Sequence, residues 1–136
     1  MNQTALRFAL AGLVLVAFTS CRTGGQIYNV EDSPVTTACG KEPSLDQVTK
    51  AIVDAGEGQK WTMAIARPGL IVGTLPVRSH LAVVDIPYST KSYSITYKNS
   101  SNLNYDPDKK TIHNSYADWI KNLDNAIVAR LSSAGC

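Results

Sequence analysis

The side chains of this 136-residue chain that could do chemistry are few. His80 and His113 are its two histidines, and with Asp85 they could in principle hold a metal ion. They lie far apart in sequence, however, and no HExxH or CxxC spacing accompanies them. In the strand pattern around it, His80 shares a face with Ala82 and Val84, which favours a packed structural ring. Ser79 stands next to His80, but sequence neighbours in extended chain point to opposite faces. No GxSxG elbow supplies the strained turn of a serine hydrolase. Asp106 and Asp108 sit beside Lys109 and Lys110 in a polar stretch and read as solvated charge. Gly-rich phosphate loops are absent, and Gly24-Gly25 belongs to the tether of residues 21–43. The residues thus assign no catalytic, cofactor-binding or metal site, and a non-enzyme is expected.

The cysteines are more informative. Residues 8–18, FALAGLVLVAF, form an uncharged apolar run preceded by Arg7. The run is too short for a membrane span, which takes roughly 20 residues, and suits a signal-peptide core. It ends in Phe18-Thr19-Ser20-Cys21, which resembles the lipobox of bacterial lipoproteins, with Phe18 where Leu is usual. The resemblance implies cleavage before Cys21, a diacylglycerol on its sulfur and an acylated amino group. A single acyl chain anchors marginally, at about 0.8 kcal/mol per buried CH₂, whereas three on one residue hold firmly. Arg22, in place of Asp, implies sorting to the outer membrane by analogy with enterobacterial lipoproteins.

If Cys21 carries lipid, Cys39 and Cys136 remain. An even remainder in an oxidising compartment points to a disulfide between them, the alternatives being free thiols or pairing with another chain. Such a bond would close most of the domain into one loop and contribute on the order of 4 kcal/mol in the chain-entropy model.

Thirteen basic and eleven acidic residues give a net charge of +2, with both signs interspersed. No basic stripe suggests nucleic acid. After the signal (1–20), residues 21–43 are rich in Gly, Thr, Pro and Ser and read as a lipidated N-terminus and flexible tether. Residues 44–136 are then one domain, of a size for a single core.

Within that domain, Ser44 and Gln47 form a capping box, and Leu45, Val48, Ile52 and Val53 recur at helical spacing. A helix over about 45–55 follows. Four strands come next, through Trp61–Ala66, Leu70–Val77, His80–Ile86 and Tyr93–Lys98. Their alternating patterns are separated by turn residues such as Arg67-Pro68-Gly69, and the short connections imply antiparallel pairing. Residues 99–110 read as a loop. Ile112, Tyr116, Trp119, Ile120, Leu123, Ile127 and Leu131 then mark one face of a helix over about 113–132. The expected fold is α+β, a two-layer sandwich in which an N-terminal helix precedes a four-stranded antiparallel meander and a long C-terminal helix covers it.

The stretches RSHLAVVDIPYSTKSYSITYKNSSNL and IHNSYADWIKNL resemble small lipoproteins of Gram-negative bacteria that have no assigned function. The resemblance spans about residues 45–131 and implies a place in the envelope, with no catalytic residues. The expected role is a non-enzymatic accessory subunit that binds another envelope protein or peptidoglycan, held to the membrane by lipid on Cys21 and facing the periplasm. Tyr and Arg dominate binding hot spots, so Arg67, Arg78, Tyr93, Tyr97 and Tyr105 are the candidate partner patch. The alternative is a small-ligand binder with a pocket between sheet and C-terminal helix, lined by Tyr93, Tyr97 and Trp119.

Overall fold

The structure is a computed structural model, and it describes residues 24–136. Cys21 and the signal segment, on which the lipidation expectation rests, lie outside the described residues. Two strands open the described chain: β1 (Gly25–Gln26) and β2 (Val30–Pro34). Helix α1 follows over Leu45–Gly58. The strands β3 (Thr62–Arg67), β4 (Leu70–Val77), β5 (His80–Pro87) and β6 (Ser92–Ser101) come next, then the short β7 (Thr111–Ile112) and α2 (Ser115–Ser132).

The capping box starts α1. The Ser44 hydroxyl accepts from the Gln47 amide at 3.2 Å, and the Gln47 side chain accepts from the Ser44 amide at 2.8 Å. These reciprocal bonds satisfy two of the four amides that a helix start leaves without partners. At the other end, Gly56 lets the helix approach β3 closely. A Cβ there would fall 2.3 Å from the Met63 sulfur. The β3–β4 turn places Gly69 at φ +88°, a conformation that costs glycine nothing.

The alternating patterns produce an antiparallel sheet in the order β2-β6-β5-β4-β3. Even-numbered residues of β5, Ala82, Val84 and Ile86, point to the helices with Ile71 and Leu75 of β4 and Tyr93 and Ile95 of β6; all are buried. From the other layer, α1 contributes Val48, Ala51, Ile52 and Ala55, and α2 contributes Tyr116, Ile120, Leu123, Ile127 and Leu131. Both helices therefore cover one face of the sheet, and the second face carries the half-buried Val72, Thr74, Leu81, Val83 and Thr96, with no layer over it among the described residues.

The expected four-stranded meander behind an N-terminal helix is corrected. The sheet has five strands, and a separate two-stranded ladder joins β1 to β7, with Gly25 opposite Ile112. Two strands precede α1, so that helix is not the first element. The fifth strand, β2, comes from the stretch read as tether and adds to the outer edge of β6, pairing Val30 with Ile95 and Ser33 with Tyr93. Its sequence, VEDSP, has no alternation to betray it. The ladder is bulged between Val30 and Ser33, and Asp32 takes φ +47° there while its amide donates to the Ser94 hydroxyl. The expected loop 99–110 also shrinks. Strand β6 runs on to Ser101 past a register shift opposite Val83 and Val84.

Cys39 and Cys136 are joined by a disulfide, their Cα atoms 5.9 Å apart. The Ala38 amide also donates to the Ser132 carbonyl at 2.7 Å, so the end of the N-terminal segment is fastened to the end of α2 twice. The bond closes a loop of 97 residues, for which chain entropy gives on the order of 4 kcal/mol. Replacing both cysteines by alanine is expected to lower unfolding stability by about 2–4 kcal/mol. Urea denaturation measures this, and reducing agent should bring wild type to the same midpoint while leaving the double variant unmoved.

Candidate functional site

The groups weighed for metal or acid–base chemistry come together only in part. His80 and His113 lie side by side with ring centroids 5.8 Å apart. His80 Nδ1 meets the Asn102 carbonyl at 2.6 Å; a carbonyl only accepts, so this nitrogen carries the proton. His113 Nδ1 accepts from the Ser115 amide at 3.2 Å, so its proton lies on Nε2. With those bonds made, two neutral rings would offer one lone pair and one N–H at their Nε2 atoms, which does not suit a shared ion. Asp85 points from the opposite face of β5, where Lys98 Nζ lies 3.1 Å from it. Ser79 accepts from the Asn102 side chain through its carbonyl, at 3.3 Å. Asp106 folds back on its own turn and accepts from the Asp108 and Lys109 amides, each at 3.0 Å. Among the described residues, no group of three or more His, Cys, Asp or Glu could hold a metal ion.

The expected partner patch divides. Arg67, the last residue of β3, and Arg78, in the turn between β4 and β5, stand at opposite ends of β4. Tyr93 is buried, and its hydroxyl donates to Asp124 at 2.5 Å across the sheet–α2 interface. Burial, and then the Asp124 carboxylate, push the Tyr93 phenol well above its ordinary pKa of 10.0. Tyr97 and Tyr105 do meet, with ring centroids 4.5 Å apart, and Tyr97 also presents its ring to Tyr116 edge-on at 5.8 Å.

Around that pair a tyrosine-rich end of the molecule is built by four segments. Tyr97 comes from β6 and Tyr116 from the first turn of α2. Tyr105 sits in the loop held by the Asp106–Thr111 bridge. The fourth contributor, Tyr28, follows β1. Its neighbour Asn29 accepts from the Tyr97 amide at 3.0 Å, and the Lys121 ammonium lies 5.3 Å from the centre of its ring. Tyr28 carries no sequence signal, because the two-residue β1 before it is too short to show a period. Tyr116 is fully buried and its hydroxyl has no hydrogen-bond partner; burial raises its phenol pKa as well.

The space between sheet and α2, where a ligand pocket was the alternative, is occupied by Tyr93, Tyr116, Ile120 and Leu123. The clefts described lie elsewhere, at the surface. One of about 340 Å³ is edged by Thr37, Lys41, Glu42 and Thr90, and one of about 230 Å³ lies between Lys50, Asp54 and Arg130. A third, of about 230 Å³, opens near Asp32, Gly69 and Tyr88. Among the described residues, no helix is long and apolar enough to cross a membrane.

The two sheet edges differ in a way that matters for partners. The β2 edge is guarded by Glu31, Asp32, Pro34 and its bulge. The β3 edge presents Thr62-Met63-Ala64-Ile65-Ala66 with no charge before Arg67 and no proline. Ile65 on it is 57% exposed, the most exposed large apolar residue described. Compared with known proteins, the chain matches no family model, no curated protein and no solved structure.

The two buried phenols make opposite predictions. Tyr116→Phe removes an unpaired buried hydroxyl and should raise stability by about 1 kcal/mol, while Tyr93→Phe strips Asp124 of its donor and should lower it by about 1–2 kcal/mol. Both pKa values are raised on folding, so their stabilisation is complete below pH 10 and is lost as pH rises beyond it. Melting temperatures from pH 8 to 12 should fall above pH 10 in wild type, and less steeply in Tyr116→Phe.

Proposed function

We propose that the chain is a lipid-anchored, non-enzymatic binding subunit of the bacterial envelope. In this reading it sits in the outer membrane, faces the periplasm and receives an extended segment of a protein partner along β3. The observation that carries the reading is the unguarded β3 edge with its exposed Ile65. Edge strands offer a row of unpaired amides and carbonyls, and natural proteins blunt them with charge, proline or bulges. This protein does so on β2, whereas on β3 the one irregularity is a register shift between Ile65 and Arg67. An added strand would gain main-chain hydrogen bonds there and a side-chain contact at Ile65, the mode known as β-augmentation. The lipobox-like Phe18-Thr19-Ser20-Cys21 supports the anchor, and the disulfide fits an oxidising compartment.

The test places a photo-crosslinking amino acid at Ile65 in living cells, with Val128, an exposed apolar position on α2, as the control. A discrete adduct from Ile65 that is absent from Val128 and abolished by Ala64→Pro is expected. An equal adduct from both sites, or none from Ile65 in well-expressed, correctly lipidated protein, would overturn the reading. Ile65→Lys should leave the melting temperature within a few degrees of wild type, since exposed substitutions usually change stability by about 0.5 kcal/mol or less, and should eliminate the complex.

A further inference from the structure

We infer that the tyrosine-rich end of the domain lies directly on the lipid headgroups of the membrane that holds it, with Tyr28, Tyr105, Lys109, Lys110 and Lys121 as the contact surface. The inference rests on the proposed lipid at Cys21. It concerns a different surface from β3 and a different kind of partner.

The length of the leash carries the argument. Gly25 is already paired with Ile112, and Gly24 packs so closely that a Cβ on it would lie 3.1 Å from the Ile112 carbonyl oxygen. Only four chain steps separate Cys21 from Gly25, a reach of at most about 14 Å. A domain of roughly 100 residues has a radius of gyration of about 13 Å, so its full width is well over twice that reach. A body that size on so short a leash cannot turn its far end to the bilayer. The end from which the chain leaves must face the headgroups.

The residues at that end have the chemistry of an interface. Of the four large apolar residues exposed in the described chain, the two aromatic ones are Tyr28 and Tyr105, at 37% and 39%. Tyrosine collects at membrane–water boundaries because its ring is apolar and its tip is wet. The lysines are close by. The Ile27 amide donates to the Lys110 carbonyl at 2.9 Å, the Gln26 side chain reaches the Lys109 carbonyl at 3.4 Å, and Lys121 lies over Tyr28. Lys109, Lys110 and Lys121 make no ion pair among the described residues, whereas Lys50, Lys91 and Lys98 do. Of the nearby carboxylates, Asp106 is engaged in its own turn, and Asp108 and Asp118 are exposed. The lysine ammonium groups are therefore available to lipid phosphates.

Trypsin accessibility of the lipidated full-length mature protein tests the inference. The protein is placed in vesicles of phosphatidylcholine with 30% phosphatidylglycerol, in pure phosphatidylcholine vesicles, and in detergent. Cleavage after Lys109 and Lys110 is expected to slow at least tenfold in the anionic vesicles relative to detergent, and to recover partly in 0.5 M salt. Cleavage after Lys41, in the loop joined to the far end of α2, should be alike in all three. The variant Tyr28→Ser with Tyr105→Ser keeps both cleavage sites and should lose most of the protection. Equal cleavage at Lys109 and Lys41 in every medium, or protection confined to Lys41, overturns the inference even if the variant does not fold. Intact mass separates the two failures. Absence of acyl chains on Cys21 refutes the anchor, while acylated, vesicle-bound protein without protection refutes only the membrane contact.

Discussion

The fold depends on the contact between one helix and one sheet face. Tyr116, Ile120, Leu123, Ile127 and Leu131 recur along α2 at helical spacing, and each is at most 1% exposed. They meet a sheet surface made by alternate residues of β4, β5 and β6, so two different periods, 3.6 and 2, are satisfied against each other. Helix α1 then has to lie beside α2 over the same face, and Gly56 makes room for it above Met63. With both helices on one side, no described element covers the other sheet face or pairs with the β3 edge. The surface from which a partner is proposed is thus a by-product of where the helices go.

The segment before α1 is fixed by α2 as well. At the helix's start, β1 pairs with β7 just ahead of Ser115; at its end, Ala38 and Cys39 fasten to Ser132 and Cys136. Between these points β2 closes the β6 edge. The segment thus spans the length of the helix and leaves little slack between the fold and Cys21. Its composition suggested a spacer, but its backbone is committed to the fold at both ends.

What the sequence revealed and what it hid follow from the range of the interactions. The capping box of α1, the alternations of β3 to β6 and the stripe of α2 are signals contained within a dozen residues, and each corresponds to the element that formed. Strand β2 carries no such signal. Glu31, Asp32 and Pro34 argue against a strand, and only Ser92, Tyr93 and Ile95, about sixty residues on, supply the partner backbone. The tyrosine end was half visible: Tyr97 and Tyr105 stood out, but Tyr28 joins them through the β1–β7 ladder, two residues long and invisible to any periodicity. Tyr93 looked like a surface aromatic because nothing local reveals that Asp124 waits across the interface to receive its hydroxyl.

The pairings of the N-terminal segment also impose an order in time. Gly25 needs Ile112, Val30 needs Ile95, Ala38 needs Ser132 and Cys39 needs Cys136. None of these partners exists until most of the chain has been synthesised, and contacts of such long range form slowly. The segment from Gly25 to Cys39, although it is made first, is therefore among the last parts of the fold to settle.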